Sequence, residues 1–368
     1  MQLVTAERDA LLKPIQTVSG IVERRHTLPI LSNLLLKKTG NELSFLATDI
    51  EVQISTKAQC EAGQDVSTTV AARKLLDILR ALPASATISL ELNNKKLNIK
   101  AGKSRFALQT LAAEDFPTVA QATDFKAGFS LPQKQLKSLI ALVQYAMAQQ
   151  DIRYYLNGLL LIADKTQVRV VATDGHRLAY AALPVEGASA EKVEVIIPRK
   201  TVIELERLLE DTDELIRVDI ASTQVRFQFG NVELVSKLVE GKFPDYNRVI
   251  PQGYKNHFSI AREELIGCLA RAAILTNEKF KGVRCVVADN SLKITCTNTD
   301  QEEAQEEAEV EYKGDPVDIG FNVTYLLDVL NHLKSETVTV SLGDANSSAL
   351  ITSAENAEFK YVVMPMRI

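Results

Sequence analysis

The stretch Val70-Ala-Ala-Arg-Lys-Leu-Leu-Asp-Ile-Leu-Arg-Ala-Leu82 runs into the alternating segment Thr87-Ile-Ser-Leu-Glu-Leu92. Apolar residues three and four apart mark the first as an amphipathic helix, and period-two alternation marks the second as a half-buried strand. The pair returns twice. Ile197-Pro-Arg-Lys-Thr-Val-Ile-Glu-Leu-Glu-Arg-Leu-Leu209 precedes Ile216-Arg-Val-Asp-Ile220, and Gly320-Phe-Asn-Val-Thr-Tyr-Leu-Leu-Asp-Val-Leu-Asn-His-Leu333 precedes Val338-Thr-Val-Ser-Leu342. Arg73 and Arg199 stand 126 residues apart, and Val323 lies 124 further on. Leu43-Ser-Phe-Leu-Ala-Thr-Asp, Val168-Arg-Val-Val-Ala-Thr-Asp and Leu292-Lys-Ile-Thr-Cys-Thr-Asn keep the step, with Thr48, Thr173 and Thr297 at intervals of 125 and 124. Asp115-Phe-Pro, Lys242-Phe-Pro and Val363-Met-Pro end the periods, and helical patterns start at Leu11, Leu136 and Leu265. Landmarks agreeing at one spacing imply three homologous domains, 1–125, 126–250 and 251–368.

Each period reads helix, several strands, helix, several strands. Segments such as Gln224-Val-Arg-Phe-Gln-Phe suit antiparallel sheets with one wet face, joined by turns at Asn93-Asn94, Gly230-Asn231 and Asp289-Asn290. The fold class is α+β, with helices segregated to one side. A chain of 368 residues that is 46% hydrophobic can fill several cores. It has no apolar run near the roughly 18–20 residues of a membrane span, and its first residues lack a secretory pattern. Cys60, Cys268, Cys285 and Cys296 form no C-x-x-C pair and read as reduced thiols of a cytosolic protein. The four histidines are at least 75 residues apart, which excludes a zinc helix; no metal or cofactor is expected.

The net charge of −5 is unevenly spread. Residues 1–124 carry 15 basic and 13 acidic side chains, 125–250 carry 16 of each, and 251–368 carry 11 and 18. The helical segments hold Arg73, Lys74 and Arg80, then Arg199, Lys200 and Arg207, with Lys13, Lys134, Lys137, Arg262 and Arg271 on the others. Such residues usually make an ordinary solvated face, but recurrence at equivalent positions points to a shared basic surface. Gly102-Lys103-Ser104 imitates a phosphate-binding loop, yet Leu97 stands where its first glycine belongs and no helix follows. Asp174-Gly175-His176-Arg177 has no nucleophile or second carboxylate at workable spacing and reads as a turn after a strand. Tyr154-Tyr155 fits either a core or, beside Gln150, Asp151 and Arg153, exposed rings able to stack on nucleic acid.

Several motifs together are specific: Thr27-Leu-Pro-Ile-Leu-Ser-Asn, Gln150-Asp-Ile-Arg-Tyr-Tyr-Leu-Asn-Gly158, Ala172-Thr-Asp-Gly-His-Arg-Leu, Lys242-Phe-Pro-Asp-Tyr, Asn277-Glu-Lys-Phe-Lys-Gly and Tyr361-Val-Val-Met-Pro-Met-Arg367. In order, and over the whole chain, the sequence resembles the bacterial DNA polymerase III beta subunits, the replicative sliding clamps. The resemblance implies a head-to-tail homodimeric ring, an accessory processivity factor and not an enzyme, located in the cytoplasm and at the nucleoid during replication. Twelve helices about 10 Å wide, two from each of six domains, would line a hole roughly 28 Å across. B-DNA, on the order of 20 Å across, would pass through it with a layer of water.

The resemblance further implies DNA contacts from Arg25, Arg73, Gln150, Tyr154 and Tyr155. The first loop departs from the family's Gly-Gly-Arg-Pro, reading Glu23-Arg24-Arg25-His26, which puts a negative charge near Arg25. A peptide cleft is implied from Leu156, Thr173, Gly175, His176, Arg177 and Leu178, with Pro244, Arg248 and Val249, with Tyr325 and Ser348, and with the tail Val362, Val363, Met364, Pro365, Met366 and Arg367. Arg177, Arg248 and His176 would orient carbonyls or acidic groups of the ligand. The subunit junction would join Lys74, Lys103, Arg105 and Phe106 to Ile274, Leu275, Glu302, Glu303 and Glu306. Implied partners are double-stranded DNA, the polymerase alpha subunit, the clamp-loader delta subunit, and other polymerases and repair factors bearing short linear motifs. The alternatives are a repeat-built peptide adaptor that never meets DNA, and a hydrolase using Asp174 and His176.

Overall fold

The computed structural model of the protein describes residues 1–23, 28–61, 64–189, 191–277 and 279–367. All three periods have one order: a strand, a helix, four strands, a helix, three strands. The helices are α1 (Arg8–Val18) and α2 (Ala72–Ala81), α3 (Gln133–Ala141) and α4 (Arg199–Leu208), α5 (Arg262–Ala273) and α6 (Val323–His332). The opening strands Gln2–Glu7, Ala127–Pro132 and Asn256–Ala261 are absent from the sequence reading. Each pairs antiparallel with the strand after its period's second helix: Thr87–Asn93, Leu215–Ile220 and Thr337–Leu342.

Helix α2 shows how sequence becomes packing. Ala72, Leu75, Leu76 and Leu79 are buried, while Arg73, Lys74, Asp77 and Arg80 stay exposed, so spacing alone segregates the two faces. Helix α6 starts at Asn322, whose side chain accepts the Thr324 backbone N–H at 2.9 Å and satisfies one otherwise orphaned donor. The turns at Asn94-Lys95 and Asp289-Asn290 have positive φ at both residues, the geometry a tight hairpin requires.

Two compact units form, Met1–Lys134 with Ile203–Leu238, and Gln135–Val202 with Val239–Ile368. They cut across the periods because the sheets do. In the first unit's twelve-stranded antiparallel sheet, Val232–Lys237, the last strand of the second period, pairs with Val52–Gln59, the third sheet strand after α1, from Val232↔Thr56 to Ser236↔Val52. The second unit has an eight-stranded and a four-stranded sheet. In the larger, the chain's last strand, Asn356–Val363, pairs in the same way with Arg177–Pro184, the third strand after α3, through Arg177↔Val363 and Leu178↔Val362. Tyr361, Phe45, Phe227 and Phe359 are among the largest fully buried side chains. Burial of each contributes roughly 1.5–3 kcal/mol. Among the described residues no helix is long and apolar enough to cross a membrane.

Candidate functional site

The second unit gathers most of the implied cleft around one turn. Strand Gln167–Thr173 ends and strand Arg177–Pro184 begins on either side of Asp174-Gly175-His176. The Asp174 carboxylate accepts the backbone N–H groups of His176 (2.9 Å) and Arg177 (3.1 Å), and the Thr173 hydroxyl donates to the Arg177 carbonyl at 2.6 Å. Gly175 has φ +93°, where any other residue is strained, and a Cβ there would lie 2.9 Å from the Arg153 guanidinium and push it aside. Arg153 reaches over from the preceding loop and donates to the Asp174 carbonyl at 3.1 Å.

The tail approaches from the other side. Val362 and Val363 are buried within the sheet, and Met364, 47% exposed, donates its N–H to the His176 carbonyl at 2.9 Å. Met366 then donates to the Gly320 carbonyl at 2.8 Å. The tail strand is not an edge: Val362 sits between Leu178 and Leu350. Leu156, Leu178 and Val362 belong to one apolar cluster with Phe243 and Tyr246, and Tyr155 and Ile250 pack against it. Pro244, Arg248 and Val249 flank Tyr246 and are exposed, while Ser348 is half-buried at the neighbouring strand's start. This is an apolar floor under a polar rim, the composition of a site for short peptides.

Arg177 is turned inward. Its side chain is 10% exposed and is fixed by Asp174 (Nε, 3.0 Å), Asp328 (Nη1, 2.5 Å) and the Tyr145 carbonyl (Nη2, 2.7 Å). The guanidinium also lies 4.4 Å from the Tyr325 ring centroid. Burial opposes its charge, but Tyr361, Asp328 and Asp174 outweigh that and raise its pKa. Tyr145 and Asp328 escape sequence reading, because Asp328 is 151 positions from Arg177 and no local pattern links them.

Of the implied DNA contacts, Gln150, Tyr154 and Arg73 are exposed and Tyr155 is half-buried. Gln150 has φ +55°, Tyr154 is 57% exposed, and Tyr155 is half-buried with its ring 5.9 Å edge-on from Tyr154. Ile152 between them is 95% exposed, a feature not singled out from sequence. Arg153, through its side chain and backbone N–H, holds the Asp151 carboxyl down to about 2, which fixes the loop's shape. Arg73, in the other compact unit, is exposed and donates to the Val22 carbonyl at 3.0 Å. Arg25 lies outside the described residues. Of the other helix cations, Lys134 is paired with Asp213 and Arg207 with Glu204, whereas Lys13, Lys74, Arg80 and Lys137 have no ion-pair partner among the described residues.

The implied junction residues lie on or beside two strand edges, apart from Lys74 on α2 and Ile274 and Leu275 just after α5. Ser104–Leu111, carrying Arg105 and Phe106 just after Lys103, is exposed along most of its length, and Ser104–Gln109 has a strand partner on one side only. Glu303–Glu309 is the end strand of the four-stranded sheet. Glu302 and Glu303 are exposed, Glu306 is held by Arg271 at 2.6 Å, Ile274 is 77% exposed and Leu275 half-buried. Among the described residues no group of three or more His, Cys, Asp and Glu could hold a metal ion.

A repeat-built α+β protein with an apolar cluster beneath an exposed tail and charged strand edges has the make-up of a binding protein. The family models for the DNA polymerase III beta subunit match throughout: the N-terminal domain at residues 1–120, the central domain at 130–245 and the C-terminal domain at 247–367. The beta sliding clamps of Pseudomonas aeruginosa and Escherichia coli K12 are each 47% identical over 365 residues, 99% of both chains. The crystal structure of the P. aeruginosa DNA polymerase III subunit beta superposes with TM-score 0.96 at 47% identity. A Bartonella birtlesii clamp bound to griselimycin does so with TM-score 0.96 at 35%, and both cover 100% of each chain. The chain belongs to the DNA polymerase III beta subunit family, the bacterial sliding clamps. Its function is that of a polymerase processivity factor, an accessory subunit without catalytic activity of its own.

Proposed function

We propose that two copies of this chain close head to tail into a ring around duplex DNA, with the three domains bounded near residues 125 and 250. One observation carries this reading. Twice within the chain, the last strand of one period pairs with the third strand after the first helix of the period before it. The two strands left over by that rule are Ser104–Leu111, the last of the first period, and Glu303–Glu309, the third after the first helix of the last period. Unpaired edges of this kind are templates for another chain, and a second copy satisfies both at once. Lys103 and Arg105 beside one edge meet Glu302, Glu303 and Glu306 beside the other, with Phe106 against Ile274 and Leu275 and Lys74 nearby.

In this ring Arg25, Arg73, Gln150, Tyr154 and Tyr155 contact DNA. The hold is topological, so an acidic net charge is compatible with it. The cleft around His176 and the Val362–Arg367 tail takes linear motifs of the polymerase alpha subunit, the clamp-loader delta subunit and other polymerases or repair factors. Griselimycin, bound by the B. birtlesii relative, is expected to bind this chain too. The protein acts in the cytoplasm, associated with the nucleoid during replication. The test is retention on DNA after loading: the protein should stay on a closed circular plasmid and leave when the circle is cut. Equal loss from both forms overturns the ring.

A further inference from the structure

We propose that Asp328, on α6 and outside the implied cleft, is a positioning residue for peptide binding that acts through Arg177. The inference rests on the cleft reading above. The wall of that cleft is a turn whose conformation depends on Asp174, since one of its oxygens accepts both backbone N–H groups that follow. The other oxygen of Asp174 accepts Arg177 Nε at 3.0 Å. The opposite side of the same guanidinium is held by Asp328 at 2.5 Å, and its third arm by the Tyr145 carbonyl. The Tyr325 ring, one turn of α6 before Asp328, covers its face, and His332, one turn after, stacks on Tyr145 at 4.4 Å and bonds the Asp328 carbonyl at 2.7 Å. The Arg177 cation is therefore clamped between two carboxylates, one shaping the turn and one anchored in a helix.

A guanidinium's donors form a rigid planar fork, so its orientation is set by the partners it satisfies. Without the Asp328 carboxylate, a cation with little access to water loses half of its charge compensation and swings toward the remaining carboxylate, Asp174. Asp174 is then pulled from the backbone donors of His176 and Arg177, and the turn loses the shape that presents its carbonyl to Met364. Peptide affinity is thereby controlled from a side chain that the peptide does not touch. A contact fixed from both sides in this way shows strongly non-additive substitutions.

The experiment is a titration of a fluorescein-labelled polymerase-derived peptide into the full-length protein and its Asp328→Asn, Asp328→Glu, Arg177→Met and Arg177→Met/Asp328→Asn variants. Asp328→Asn should weaken binding about tenfold, about 1.4 kcal/mol, in a protein still folded at the assay temperature, and Asp328→Glu should restore most of it. In the Arg177→Met background the Asn substitution should add no further loss. Wild-type affinity in Asp328→Asn, equal loss in the Glu variant, or additive losses each overturn the proposal. If Arg177→Met does not fold, the Asn and Glu variants decide it alone. A wild-type protein that fails to bind the peptide instead overturns the cleft reading on which the proposal rests.

Discussion

Ile274→Ala should dissociate the dimer without disturbing the subunit. Ile274 follows the last turn of α5 and is 77% exposed, so its side chain adds little to the subunit's own core. Truncation to alanine removes three carbons, about 2.4 kcal/mol if fully buried, and about 1.8 kcal/mol scaled to the surface exposed in the free subunit. A head-to-tail ring has two identical junctions, so the dimer loses about 3.6 kcal/mol and its dissociation constant rises roughly 400-fold. Sedimentation over a concentration series measures this directly, with thermal unfolding of the dilute monomer as the control. Raising the salt should weaken both proteins, because the charges of the junction are exposed and screened. Dimers of equal strength in wild type and variant would refute the placement of Ile274, and a wild-type monomer at every concentration would refute the junction altogether.

Deleting Met364 through Ile368 removes the backbone contacts to His176 and Gly320; peptide affinity measured by fluorescence anisotropy should fall at least tenfold while the sedimenting dimer persists. Replacing Arg25, Gln150, Tyr154 and Tyr155 by alanine should weaken DNA binding in a gel-shift assay and leave the dimer intact. The arginine's share should shrink with salt, and the tyrosines' share should change less. Asp151 should titrate with a midpoint of about 2 in a carboxyl NMR titration. Its folded value is depressed, so the ordering of the loop by Arg153 is present at neutral pH and lost only as pH falls through that midpoint. An ordinary carboxylate midpoint would show that the pair does not form in solution.

The threefold repeat was legible because long amphipathic helices and buried strands keep their periodicity through a domain-length step. The opening strands were not: in Gln2–Glu7 the apolar Leu3 and Val4 are adjacent, so alternation is broken, and the strand takes its identity from a partner some 85 positions away. The Thr173–Arg177 turn was legible as a local motif and forms as its residue types require. Arg177 was expected to orient a bound ligand, but its guanidinium turns inward onto Asp328 and the Tyr145 carbonyl, which only folding brings near. Charge on the helices was legible as composition. Which cations remain unpaired was not, because partners such as Asp213 for Lys134 come from distant strands and loops.

In the proposed ring one pairing rule is used three times, but the three junctions need not be equal, and the chemistry of the strands separates them. At the two junctions inside the chain the paired residues are mostly buried and apolar, among them Ile54 with Leu234 and Leu178 with Val362. Breaking either would expose apolar surface at about 25 cal/mol per Å². The strands left for the intermolecular junction are largely exposed, one carrying Arg105 and the other a run of glutamates, and some of that charge is already satisfied within the subunit, as Glu306 is by Arg271. Exposed charge pairs contribute little each and weaken with salt, so the junction between subunits is the one that separates at least cost. A ring that must admit a duplex without unfolding needs this inequality, and in the proposed ring it lies in the difference between the buried Leu178–Val362 pair and the exposed edges that carry Arg105 and Glu303.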